Sequence, residues 1–218
     1  MSVAIAWTGG KDSALALHRC AGRDVSELVT FVPRDAHFLA HDLELMRWQA
    51  DAVGMPHRCE LVESPYEAGY ERALQRLLER GVHTVVTGDI AEVDGQPNFL
   101  SARATRVGLR VELPLWGVDR ITHLRSILEL GFEVVLTLVK EPWLDASWAG
   151  RRLDAAALEE LLLVEAATGL DPAGENGEYH SMVLAGPGWR QRLALESRLV
   201  SASPVHRIEV LGVRASAP

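Results

Sequence analysis

Thr8-Gly9-Gly10-Lys11-Asp12-Ser13 places two glycines, two hydroxyls, an ammonium and a carboxylate in six consecutive residues. The apolar run from Ser2 to Trp7 precedes this stretch and Ala14-Leu15-Ala16-Leu17 follows it, so a buried strand should end at the glycines and a helix should begin after them. Glycine has no Cβ, which lets backbone N–H groups close on an anion, and a helix start adds its unpaired amides and the positive end of its dipole. This is phosphate-binding chemistry. It is not a Walker loop, because Asp12 separates the lysine from Ser13. Of the 22 basic residues only Lys11 and Lys140 are lysines. A compact ammonium suits a single phosphate oxygen better than a planar guanidinium does, so Lys11 looks chosen for its chemistry. Lys11 and Ser13 are expected to hold the β and γ phosphates of a nucleotide. Asp12 either orients the loop or binds a Mg2+.

A second polar cluster, Gly174-Glu175-Asn176-Gly177-Glu178-Tyr179-His180-Ser181, follows Asp171-Pro172. Glycine and asparagine are turn formers and carboxylates in loops are commonly solvated, yet so many titratable and hydrogen-bonding groups together also suit a polar substrate pocket. Other candidate chemistries are weaker. Cys20 and Cys59 form no C-x-x-C pair, so neither a disulfide framework nor a zinc site is indicated. His37 and His41 stand four apart beside Asp35 and Asp42 but make an incomplete metal site; His41 fits better as a lining residue of a nucleotide cleft. Trp116, Trp143 and Trp148 could stack on adenine or a substrate, with at least one of them serving the core.

The elements that must position these groups read as alternating strands and helices. Strands are expected at Ser2 to Trp7, Val25 to Val32, His57 to Val62, Val82 to Thr87 and Leu109 to Leu113. Helices are expected from Ser13 to Ala21, from Leu39 to Val53, from Tyr66 to about Leu77 and from Phe99 to Val107. The alternation implies right-handed βαβ units and a Rossmann-like, parallel five-stranded sheet with helices on both faces. Three loops then fall at carboxyl ends of strands, where open α/β sheets bind ligands: the opening glycine loop, the segment from Arg34 to His41 and Gly88-Asp89-Ile90. Beyond Gly117 a helix at Ile121 to Leu130, a strand at Glu133 to Val139, a helix at Asp154 to Thr168 and short strands at Met182 to Leu184, Ala194 to Val200 and Arg207 to Val213 indicate a smaller α+β portion. We place the domains at 1–117 and 118–218.

The order of the opening loop resembles the PP-loop of ATP pyrophosphatases. Together with Gly88-Asp89-Ile90, Pro114-Leu115-Trp116, Ala149-Gly150-Arg151-Arg152-Leu153-Asp154, Asp171 through Ser181 and Gly186-Pro187, it resembles the diphthine-ammonia ligase family of that superfamily. The resemblance runs through nearly the whole chain, and the glutamate-bearing C-terminal block is its most specific part. It implies an ATP-binding N-terminal domain, in which Thr8, Gly9, Gly10, Lys11, Asp12, Ser13, His41, Gly88 and Asp89 hold ATP with Mg2+. It also implies a C-terminal domain that takes a small-molecule or protein-bound carboxylate through Glu175, Asn176, Glu178, Tyr179 and His180. The implied reaction activates the carboxylate as an acyl-adenylate and lets ammonia displace AMP, with Lys11, Asp12, Glu175 and Glu178 as its catalytic groups. After Gly88-Asp89-Ile90 the segment Ala91 to Pro97 departs from the pattern of the characterised ligases, so a substrate-facing loop has changed.

Composition bounds the remaining classes. At 218 residues and 48% hydrophobic content the chain can bury a sizeable core. A net charge of -8 argues against a general grip on nucleic acid, and no apolar run approaches a membrane span, so a cytoplasmic, soluble protein is expected. A homodimer is compatible with the sequence. The competing readings are a nucleotide-binding sensor, which has no need of the paired carboxylates, and ATP hydrolysis or tRNA thiolation, the last of which wants a basic surface and a reactive cysteine.

Overall fold

The computed structural model describes residues 2–34, 43–92 and 98–217. From the N-terminus its elements are β1 (Ser2–Ala6), α1 (Lys11–Arg19), β2 (Val25–Pro33), α2 (Leu43–Val53), β3 (His57–Val62), α3 (Tyr66–Glu79), β4 (Val82–Val86), α4 (Phe99–Val107) and β5 (Arg110–Glu112). They continue with α5 (Arg120–Glu129), β6 (Glu133–Lys140), α6 (Ala155–Thr168), β7 (Tyr179–Ala185), β8 (Arg192–Ala202) and β9 (Val205–Ser216). Packing divides the chain into two units. One takes the described residues within 1–8, 12–38 and 55–117; the other takes 9–11, those within 39–54, and 118–218.

The first unit is built on a five-stranded sheet in the order β3-β2-β1-β4-β5, and every pairing in it is parallel. Such strands are covered on both sides, which is why β1 and the middle of β2 read as unbroken apolar or β-branched runs. Ala4, Val29, Leu74, Leu77, Val82, Val85, Leu100, Ala104 and Leu109 form one core beneath α3 and α4, which also pack on each other. The chain runs outward from β1 to β2 and β3, then returns to lay β4 on the other side of β1. That reversal makes the carboxyl ends of β1 and β4 neighbours, the position where doubly wound sheets receive ligands. Cap chemistry sets the lengths of the helices: Asn98 accepts from the Ser101 N–H to start α4, and Gly108, with φ of 77°, ends it.

The second unit holds a four-stranded sheet in the order β7-β6-β9-β8, antiparallel throughout. β6 is buried from Val134 to Val139. β8 and β9 form a long hairpin, paired from Arg192 with Ser216 to Ala202 with Val205. It outruns the apolar stretches that mark it in the sequence because cross-strand polar pairs such as Arg198 with Glu209 continue the ladder. The cap of α6 is the Asp154 side chain, which accepts from the Ala157 N–H, and Gly169 closes that helix in the left-handed conformation.

Helix α2 lies between β2 and β3 in the sequence, yet it groups with the second unit. Its last turn explains why. The Ala52 carbonyl accepts from the Arg190 and Gln191 N–H groups at 2.7 and 3.2 Å, and α2 packs against β8 and β9. A Cβ on Gly54 would stand 2.1 Å from Arg190 Nε, so the guanidinium lies across the end of the helix where only glycine leaves room.

Leu77 is fully buried and Leu163 is 72% exposed. Leu77→Ala is expected to lower the unfolding free energy by about 2–5 kcal/mol and Leu163→Ala by less than about 0.5 kcal/mol, both read from urea titration of the full chain.

Candidate active site

β1 ends at Ala6 and α1 begins on Lys11, leaving Trp7 to Gly10 as the turn between them. Gly9 adopts φ of 75°, and a Cβ there would lie 2.2 Å from Gln49 Oε1. Both facts demand glycine. The Gly9 carbonyl accepts from the Val183 N–H at 3.0 Å and from Gln49 Nε2 at 2.8 Å, while the same Nε2 also donates to the Val183 carbonyl at 2.8 Å. Gln49, wholly buried, thereby clips the glycine turn to β7. The two acceptors fix which end of its amide is the nitrogen. The Lys11 N–H donates to Ser181 Oγ at 3.4 Å, and Thr8 Oγ1 stands 3.3 Å from Ser13 Oγ.

Lys11 is 4% exposed; its ammonium donates to the Ala173 carbonyl at 2.6 Å and stands 5.5 Å from the centre of the Tyr179 ring. A carbonyl and an aromatic face are the usual means of keeping a cation inside a protein. The loop lysine is therefore held by the C-terminal acidic cluster, 162 residues away in sequence.

That cluster is a folded loop with its own scaffold. Glu178, 1% exposed, accepts from the Asp171 N–H and the Asn176 N–H, each at 3.0 Å, and from Asn176 Nδ2 at 3.2 Å. Asp171 accepts from the Ala173 N–H at 2.8 Å and from Arg120 Nε at 2.9 Å. Tyr179 donates its hydroxyl proton to the Pro172 carbonyl at 2.7 Å. Gly174 and Gly177 take positive φ, and a Cβ on Gly174 would meet the Tyr179 ring at 3.0 Å. Both carboxylate oxygens of Glu178 are thus engaged inside the loop, whereas Glu175 is half-buried and Asn176 is exposed on its rim. His180 carries an imidazole whose pKa is lowered, first by desolvation and then by the charges of Lys140 and Lys11.

In the first unit, Gly88 lets the end of β4 lie on the first turn of α1: a Cβ there would be 2.5 Å from the Asp12 carbonyl carbon and 2.7 Å from the Ser13 nitrogen. Asp89 accepts from Asn98 Nδ2, the same side chain that caps α4, so its carboxylate is anchored to a helix start. Trp148 is buried under the Arg151 guanidinium, 4.4 Å from its ring, and Trp116 is 37% exposed. His41, with His37, Asp35 and Asp42, lies outside the described residues, as do residues 93–97.

The turn fits an anionic nucleotide tail on its own chemistry. The first amides of α1 and the Thr8 and Ser13 hydroxyls are donors of the kind such an anion takes. Among the described residues no cluster of three or more His, Cys, Asp or Glu could hold a metal ion. A Mg2+ would take Asp12 and phosphate oxygens, the sparse protein ligation usual for that ion. Sequence reasoning missed Gln49 and Asn98. Gln49 was visible as a polar residue on the helical face that carries Met46 and Ala50; Asn98 carried only a generic capping signal.

Because Glu178 accepts on both oxygens, Glu178→Gln turns an amide donor toward an N–H donor. The expected result is a stability loss of about 1–3 kcal/mol and faster hydrogen exchange at the Asp171 and Asn176 amides, measured by exchange mass spectrometry.

A family profile described as the diphthamide synthase N-terminal domain matches residues 1–111, and one described as the diphthamide synthase C-terminal domain matches residues 119–208. Among curated proteins, the diphthine–ammonia ligase of Schizosaccharomyces pombe is 25% identical over 233 residues, covering 95% of this chain and 38% of that protein. The chain therefore spans less than two fifths of that relative's length. Among solved structures, a predicted subunit of a tRNA methyltransferase from Methanocaldococcus jannaschii aligns with TM-score 0.47 and 16% identity, over 85% of this chain and 97% of that one. With both profiles matched in order along its length, the chain belongs to the diphthamide synthase family.

Proposed function

We propose that the protein is an ATP-dependent, AMP-forming ligase that activates a carboxylate as an acyl-adenylate and transfers the acyl group to ammonia. The observation that carries this reading is the capture of Lys11 by the acidic loop, through the Ala173 carbonyl and the Tyr179 ring. It ties the residue best suited to a departing phosphate group to the segment richest in substrate-type side chains. The family match and the activity for which the Schizosaccharomyces pombe relative is named support the same reading.

A carboxylate is a poor electrophile because oxide would have to leave; ATP, when bound, supplies an adenylate as the leaving group. In this assignment residues 1–117 bind the nucleotide, with Thr8, Gly9, Gly10, Lys11, Asp12 and Ser13 as the cradle and His41, Gly88 and Asp89 beside it. Lys11 and the first amides of α1 stabilise negative charge on phosphate oxygens. Asp12 is the residue to hold Mg2+. Residues 118–218 bind the carboxylate, through Glu175, Asn176, Tyr179 and His180. Ammonium must lose a proton before it can attack, and Glu175 is the carboxylate assigned to take it. Glu178 is a positioning residue, since its oxygens are used inside the loop. No protein nucleophile is needed. Diphthine, from the relative's name, is the first carboxylate to test.

The test is incubation of the full chain with ATP, Mg2+, ammonium and diphthine, followed by 31P NMR. AMP with pyrophosphate is expected, and Lys11→Ala should cut the rate by about 100-fold or more. ADP with phosphate would overturn the assignment. ATP binding with no turnover in the presence of a panel of carboxylates would favour a nucleotide sensor.

A further inference from the structure

Among the described residues β8 pairs on one side only: the order β7-β6-β9-β8 leaves it at the edge of the second sheet. An open edge is a row of backbone donors and acceptors, and proteins commonly blunt it with proline, lysine, a bulge or brevity. β8 has none of these. It runs for 11 residues without proline or lysine. Its register with β9 steps between Glu196, opposite Gly212, and Ser197, opposite Val210, which puts the extra residue, Leu211, in β9 and leaves β8 without an insertion. From Glu196 to Leu199 every position of β8 is exposed, so both faces of the strand meet solvent there. Among the described residues, Leu199 and Leu211 are the large apolar side chains that the second sheet leaves exposed, at 51% and 56%.

The stretch Leu195-Glu196-Ser197-Arg198-Leu199 is its own complement. Laid antiparallel against a second copy about Ser197, it sets Leu195 opposite Leu199, Glu196 opposite Arg198 and Ser197 opposite itself. A two-fold axis makes each of these contacts twice. Side chains alternate across a strand, so the leucines fall on one face and the charges on the other. On the apolar face Val213 and Ile208 of β9 already stand opposite Leu195 and Leu199. On the charged face β9 supplies Glu209 to Arg198 and, at 3.7 Å, Arg214 to Glu196. A second copy continues this face into a row of alternating sign: Arg214 and Glu196 of one copy, then Arg198 and Glu209 of the other. We propose that β8 is the contact through which two copies of this chain associate, antiparallel about Ser197, joining two four-stranded sheets into one. Centring the pair on Glu196 or on Arg198 instead sets like charges opposite each other, so the charges select the register.

The experiment is sedimentation equilibrium of the full chain as wild type, Glu196→Arg, Arg198→Glu and an equimolar mixture of the two variants. Both side chains are largely exposed, at 66% and 65%, so neither substitution threatens the fold. Wild type is expected as a dimer. Each variant alone sets like charges opposite each other at two places, and its dissociation constant is expected to rise by about tenfold or more. The mixture restores opposite charges at both places, so it is expected to return to a dimer that holds one copy of each variant. The proposal is overturned if wild type is monomeric at about 0.1 mM, or if either variant alone dimerises as tightly as wild type. It is equally overturned if the mixture associates no better than the variants do separately. The readout is mass rather than turnover, so this contact stands or falls apart from the ligase reading.

Discussion

A lysine ammonium inside a protein has to be given partners, because desolvation of an unpaired charge costs more than a domain can spare. Lys11 meets that requirement partly with the Ala173 carbonyl and the Tyr179 ring. The rest of the site is arranged around the requirement. Ala173 is placed by Asp171, which accepts its N–H and is itself held by Arg120. Tyr179 is placed by its hydrogen bond to Pro172. The glycine turn is placed by Gln49 and Val183. Each partner of Lys11 therefore has a partner of its own, the condition under which a polar network specifies one arrangement.

The division of labour between the two glutamates follows from the same geometry. Glu178 satisfies two loop N–H groups and an amide, so its charge is spent on the shape of the loop. Glu175, half-buried on the same loop, is the carboxylate assigned to substrate chemistry in the proposed reaction. A loop that reads as a string of polar residues thus has an inside and an outside.

Much of the first sheet was legible because its strands are apolar runs bounded by glycine and proline: β3 and α4 have the bounds their sequence marks, and the other strands differ by a residue or so. The second sheet was legible only in outline. β7 begins at Tyr179 rather than Met182, since its pairing with β6 recruits the polar end of the acidic loop. The allegiance of α2 was hidden, because an amphipathic face says that a helix packs and not on what. Glu175 and Glu178 are indistinguishable by type and spacing; their different burial separates them.

The central claim is that a carboxylate oxygen becomes bonded to the α phosphate of ATP before ammonia arrives. Diphthine labelled with 18O in its carboxylate, incubated with the full chain, ATP, Mg2+ and ammonium, tests it directly by mass spectrometry of the nucleotide product. Breakdown of an acyl-adenylate by ammonia leaves one of the carboxylate oxygens on AMP, so AMP heavier by a single 18O is the result this account predicts. Unlabelled AMP alongside amide product, or 18O in inorganic phosphate with ADP, would contradict it.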